Sequence, residues 1–326
     1  MITYPRLPLT QFARGDGDDA MFRRAVEAGM ANRNGIQRVI DVPPGWYDLK
    51  KPLVCVSKHP NQKPPALVCQ DGMAVIYYQG PITNDYVLRF GGDGVRFRNL
   101  ATLEGITVVA KGRARGIRLD GCAYGSACDR VETVSTRQVA IEAKDCFMAR
   151  FGSFSVRQAA GCAFYNNESN SLKIEGLKVD TTDADWAPEL LKAAVLFAED
   201  THASSTNLLC LEGVNSGSHP VILLQGVGHR LRDIRFEGVE CKNELIELAP
   251  WTRLIDIGMV TLSKVDTSHV VYIGRECKAV NVSHVFGGVI NKAVVHIDGS
   301  DTRKLNFGPF EVTDRNQKNI PDATWE

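Results

Sequence analysis

Three groups of side chains in this sequence could do acid–base chemistry on a sugar. The segment DTTDADW holds Asp180, Asp183, Asp185 and Trp186. Hydrolysis of a glycosidic bond uses two carboxyl groups, one as acid and one as base or nucleophile, and an indole offers a face for stacking. Asp183 and Asp185 are therefore candidate catalytic residues, and Trp186 is a candidate substrate-binding residue. The plainer alternative is a polar loop anchored by Trp186. In the second group Glu142 is the candidate catalytic residue, with Arg118 and Tyr165 as candidate binding residues and Asp120 and Lys144 nearby. Opposite charges around Glu142 and Asp120 would keep both ionised, which suits a base or nucleophile better than an acid. Here the alternative is a salt-bridge ladder on a solvated face. The third group joins Glu247, as a catalytic candidate, to Tyr272 and His296 as binding candidates. An aromatic ring between an acid and an imidazole suits a saccharide subsite, and Tyr or His could also take an α-proton from a uronic acid. A mixed polar surface is the competing reading. Glu199, Asp200 and His202 form only a weak further signal.

These groups need elements to align them, and a repeat supplies them. An apolar–any–apolar–turn motif starts at Leu88, Ile117, Ile141, Cys162, Val195, Ile222, Ile246, Val271 and Val295, with a mean spacing of about 26 residues. Between the copies lie second motifs such as FGSFSV at 151–156 and LRDIRFEGV at 231–239. Both kinds alternate apolar and polar residues, which is the strand period, and both are too short for stable helices. The spacing predicts an all-β, right-handed parallel β-helix of about nine or more rungs with an N-terminal capping helix near 18–32. Ile117, Leu119, Ile141, Phe164, Phe197, Leu224, Leu248, Ile273 and Ile297 should point inward. The first outward column should run Arg89, Arg118, Glu142, Ala163, Leu196, Leu223, Glu247, Tyr272, His296, and Tyr165 should fall in the second. Arg118 should face Glu142, and Asp120 should face Lys144. The longest interval predicts a loop insertion near 181–192. The domain reading is a capping segment over 1–50, the β-helix over 51–313 and a tail over 314–326.

Lys plus Arg and Asp plus Glu both number 38, so the chain lacks the basic excess of a general nucleic-acid or membrane binder. Neither partner is expected. No apolar run is long enough to span a bilayer, and the first residues lack a basic then apolar leader pattern. The nine cysteines have no CxxC spacing and read as reduced, mostly buried thiols, with Cys122 and Cys146 in one slot of consecutive rungs. No metal or cofactor motif stands out. GxSxG, HExxH and a P-loop are absent, as is the full polygalacturonase residue set.

Residues 12–49 carry Phe12, Ala13, Gly15, Asp16, Gly17, Asp18, Asp19, Ala25, Val26, Val42, Pro43, Gly45 and Tyr47. This stretch resembles the opening of pectate-lyase-superfamily β-helices, including bacteriophage tailspikes. It lacks the two residues usually found between the GDG and DD elements. In this reading Asp18 is the helix N-cap, and Met21, Phe22, Ala25, Val26 and Met30 form its apolar stripe. A Ca²⁺ loop at Asp16, Asp18 and Asp19 is the alternative. The resemblance implies a tailspike-like virion protein, made in the host cytoplasm, that binds bacterial surface polysaccharide and whose cleavage of it stays open. It also implies a homotrimer, with other phage tail proteins as further partners. One alternative is a non-enzymatic tail or baseplate protein using the rod as a spacer. The other is a cellular polysaccharide lyase or hydrolase in the bacterial cytoplasm.

Overall fold

The computed structural model describes residues 5–31, 36–57, 59, 62–92, 102–123, 125–182, 193–299, 303–313 and 323–325. Short apolar-alternating segments cannot bury their faces alone, so they stack turn upon turn into a parallel β-helix. Three sheets run along the rod. Face A starts with Arg6–Pro8, Val39–Asp41 and Ala66–Val68, paired in parallel. Face B starts with Gly45–Leu49 and Ala74–Tyr78. Longer strands such as Thr102–Val109 and Ala127–Val134 then bend to serve faces A and B in turn. Face C starts with Leu53–Ser57, Tyr86–Gly92, Arg115–Asp120 and Arg137–Lys144.

The register of face C shows the repeat directly. It runs Leu53, Leu88, Ile117, Ile141, Phe164, Val195, Ile222, Ile246, Val271, Val295 and Ala323, each opposite the next. At ~4.8 Å per turn these ten steps span roughly 48 Å. One sequence assignment slips: Phe164, not Cys162, lies opposite Ile141 and Val195. The segment CAFYNN offers two alternating frames, and the larger Phe164 side chain fills the core better than the smaller Cys162. The inward residues named from sequence are all buried, from Ile117 to Ile297. An aromatic run crosses the middle of the core, with ring centroids 5.4 Å apart for Phe151–Phe154 and 6.3 Å for both Phe154–Phe164 and Phe164–Phe197.

His229 ends that run, 5.2 Å from the Phe197 ring. Its Nε2 lies 2.6 Å from the Gln225 carbonyl, which can only accept, so Nε2 carries the proton. Burial lowers the imidazole pKa to about 4, and the Gln225 carbonyl opposes that shift. The folded state therefore resists a proton that the unfolded chain takes up near 6.5. This contribution is complete above 6.5 and is lost as pH falls toward 4. In His229→Leu, the drop in urea midpoint between pH 7 and pH 4.5 should shrink. An unchanged drop would show that acid sensitivity lies elsewhere.

At the N-terminal end the helix α1, Asp18–Met30, buries Met21, Phe22, Ala25 and Val26 over the open column. Phe22 meets Tyr47 edge to face at 5.3 Å. The N-cap is Gly17 at φ +93°, not Asp18. Asp18 lies one residue inside, and its carboxylate accepts the Asp48 N–H at 2.8 Å, while Asp19 accepts the Lys50 N–H at 2.9 Å. Asp16 pairs with Arg24 at 2.6 Å. Asp18 and Asp19 thus fasten the helix to the first turn, because strand N–H groups at the open end need acceptors, while Asp16 ties the preceding loop to the helix.

A second ladder follows face C at its exit corner. Cys122, Cys146, Ser169, Thr201, Thr252 and Cys277 are all buried there. Each donor reaches a backbone carbonyl, and most reach one on the preceding turn. Cys146 Sγ is 3.7 Å from Leu119 O, Ser169 Oγ 3.4 Å from Ala143 O, Thr252 Oγ1 3.2 Å from Leu224 O, and Cys277 Sγ 3.3 Å from Ala249 O. Cys122 and Cys146 do share a slot. Among the described residues all nine cysteines are free, and eight are buried.

Candidate functional site

The outward column of face C carries the candidate residues. The corrected register makes it Arg89, Arg118, Glu142, Tyr165, Leu196, Leu223, Glu247, Tyr272, His296 and Thr324. Tyr165 therefore stands next to Glu142 in the first column. Two polar patches flank an apolar saddle in which Tyr165 packs on Cys162, Ala193, Leu196, Leu223 and Ala249.

The first patch is a closed charge network. Arg89 Nε donates to Asp120 at 2.6 Å and Arg118 Nε donates to the same carboxylate at 2.7 Å. Arg118 also stands 3.8 Å from Glu142, so the Arg118–Glu142 pairing read from sequence is present. Tyr86 OH donates to Glu142, and Asn167 Nδ2 does so at 3.4 Å. Asp120 and Glu142 are each only 5% exposed. Burial raises the pKa of Tyr86 and Tyr165, and the Glu142 charge adds to both shifts. Asp120 and Lys144 are opposite in backbone register, but the Lys144 ammonium reaches Glu168 at 3.5 Å. Two arginine side chains are long enough to occupy the Asp120 carboxylate first. Each oxygen of the Asp120 and Glu142 carboxylates has a partner, so the network braces the rod and offers little to a substrate.

The second patch is more open. Tyr272 and His296 stack at 5.3 Å with planes 13° apart, and His269 lies 4.8 Å from His296. Tyr272 OH donates to Asp298 at 3.2 Å, and Arg275 holds the same carboxylate at 3.0 Å. His296 Nδ1 is 3.3 Å from Thr324 Oγ1. Glu247 lies opposite Tyr272, and Glu244 lies opposite His269. Burial, then the neighbouring Glu247 charge, pushes the Glu244 pKa up to about 7. Burial lowers His269 to about 4, with His296 and Lys292 adding to it, so its ring is neutral near pH 7. Burial and Asp298 raise Tyr272 to about 12. One carboxyl shared between proton states beside a second carboxylate is a suitable acid–base pair. A groove of about 730 Å³ adjoins the patch along the chain, lined by Asn215, Glu240, Lys242, Lys264, Thr267 and Asn291 among others. Two residues beyond Lys242 and Thr267 come Glu244 and His269.

The structure thus brings Glu247, Tyr272 and His296 together, and separately Arg118, Glu142 and Tyr165. Asp183, Asp185 and Trp186, and the predicted insertion from residue 183 to 192, lie outside the described residues, while Asp180 sits within the strand Lys173–Thr182, opposite Arg157. Sequence reasoning missed Glu244, His269 and Tyr86. Strict alternation from Ile246, Val271 and Leu88 sends all three inward. The chain turns as it enters face C, however, so Leu245 and Ile246 are both buried and Glu244 swings outward. The ELIEL segment, with acids three apart, was the available signal.

No protein family profile and no curated protein sequence matches the chain. Among solved structures, ORF18 of Geobacillus virus E2 is similar, with a TM-score of 0.54 and 12% identity over 95% of this chain. The chain spans only 60% of the length of that viral protein. The endo-xylogalacturonan hydrolase of Aspergillus tubingensis is similar at a TM-score of 0.50 and 12% identity, covering 96% of this chain and 93% of its own. What this chain shares with both is the pectate-lyase-like parallel β-helix fold, as the resemblance over residues 12–49 implies.

Proposed function

We propose that this protein binds a polysaccharide against the late turns of face C and cleaves it there by acid–base chemistry. The observation that carries the reading is the pairing of Glu244, whose pKa is pushed up to about 7 by burial and by Glu247, with the Tyr272–His296 stack one and two turns on. Glu244 supplies the proton to the leaving oxygen and Glu247 is the companion carboxylate. The aromatic stack presents a flat face to the sugar. A viral protein and a polysaccharide hydrolase of the same fold favour bacterial surface polysaccharide as the ligand and a phage tail as the setting. The homotrimer implied by the tailspike resemblance belongs to the same proposal, and light scattering reads it.

The test is incubation with capsular and O-antigen polysaccharides from a panel of bacteria, following reducing ends and the ultraviolet absorbance of unsaturated products. Reducing ends alone mean hydrolysis, and both signals together mean a lyase. Activity in the native protein that is lost in Glu247→Gln supports the proposal. Silence on the whole panel overturns it and leaves the rod as a structural spacer.

A further inference from the structure

Far from that patch, at the first turns of face B, Trp46 is 72% exposed. An indole that open on an otherwise well-packed rod is unusual, since Trp normally buries most of its area. Trp46 and Asp48 point outward from the strand Gly45–Leu49, and Asp48 lies opposite Tyr77 on the next turn. The Trp46 and Tyr77 rings stand 6.0 Å apart at 60°. Lys111, one turn further, places its Nζ 4.2 Å over the Tyr77 ring.

The corner following this face is basic on the first and third of these turns, with Gln79 and Gly80 on the turn between. Lys50 and Lys51 follow the first strand, and Lys111 and Arg113 follow the third, all exposed. Among the described residues no carboxylate lies within ion-pair distance of these four side chains. Other exposed cations are paired, as in Arg6–Asp41, Arg130–Glu104, Lys178–Glu212 and Arg230–Asp256, while Arg232, Lys242, Arg253 and Lys264 are exposed without a salt bridge among the described residues, so it is the aromatic pair beside them that sets these four apart. The four cations at the corner are spread over ~10 Å of rod, with the Asp48 carboxylate on the face before them accepting from Gln79 Nε2 at 3.4 Å and the Asp19 carboxylate holding the Lys50 N–H.

We propose that Trp46, Tyr77 and this cationic corner form a second, non-catalytic saccharide site selective for acid-bearing glycans. The indole takes the C–H face of one pyranose, and the lysines and Arg113 meet carboxylate or phosphate substituents on its neighbours. The cations of the first and third turns, ~10 Å apart, bear on alternate sugar residues. Naming a glycan as the polyanion rests on the polysaccharide reading above, but the site does not need Glu244 or Glu247.

Isothermal titration of the full chain tests this with oligosaccharides of galacturonate, alginate, hyaluronate and polysialate, with neutral laminarihexaose and with oligouridylate of matched charge. At least one acidic glycan should bind about tenfold more tightly than the neutral one, and its affinity should fall steeply with added salt. Trp46→Ala and the pair Lys111→Glu with Arg113→Glu should each weaken it about tenfold, a size expected from loss of one stacking or charge contact. Trp46→Phe should retain most of it, and Glu247→Gln should leave it unchanged. Binding unaffected by Trp46→Ala, no acidic glycan bound, or preference for the oligonucleotide would each overturn the proposal. Binding here without any cleavage would sink the catalytic reading alone.

Discussion

Replacing Glu244 by Gln is expected to lower polysaccharide cleavage by roughly 10²–10⁴-fold, the usual worth of a positioned proton donor. The same variant should be more stable than the native protein above neutrality. The folded-state pKa of Glu244 is pushed up to about 7, above the ordinary carboxylate value of 4.5. The folded protein therefore keeps a proton that the unfolded chain releases, and stability falls as pH rises from 4.5 to 7. Gln resembles the protonated acid and avoids that cost. The melting temperatures of the two proteins should coincide near pH 4 and separate up to pH 7, with the variant higher. A pure loss of activity with equal melting curves at pH 8 would mean that Glu244 is not held in the proton-bearing state inferred here.

The second large effect concerns the charge network of the early turns. Asp120→Ala removes the acceptor shared by Arg89 and Arg118 and leaves Arg118 with Glu142 as its remaining carboxylate. Breaking a buried ion cluster from one side costs on the order of 3–5 kcal/mol. In a solenoid each turn contacts mainly its neighbours, so the damage should be local. Hydrogen exchange should speed up in Tyr86–Gly92, Arg115–Asp120 and Arg137–Lys144 well before the late turns respond. Asp120→Asn keeps an acceptor oxygen and should cost less. Uniform loss of protection along the rod would show that the network is not a separate brace.

The sequence made the rod legible because its signal is redundant: the face-C motif recurs down the chain, so a two-residue slip at Cys162 leaves the fold unchanged. The same slip was enough to misplace Tyr165, which the structure sets against Glu142. Side-chain pairing was harder to read than backbone register. Asp120 and Lys144 are opposite in the ladder, yet reach and competition from Arg89 and Arg118 decide where the carboxylate binds. Glu244 and His269 escaped notice because period-two reasoning fails where the chain turns into a new sheet. Glu247, Tyr272 and His296 were readable because they sit in the regular part of the strand.

The row of small donors at the exit corner of face C has a consequence for how this chain can vary. Cysteine, serine and threonine perform one task there, closing carbonyls on adjacent turns with a compact hydrogen-bearing side chain. On the turns that carry a donor, sulfur and oxygen serve alike, and on the turn between Thr201 and Thr252 the slot is filled by Gly226, where a Cβ would meet the Thr201 carbonyl. The thiols at Cys146 and Cys277 are then spellings of a hydroxyl, doing on their turns what Ser169 and Thr252 do on theirs.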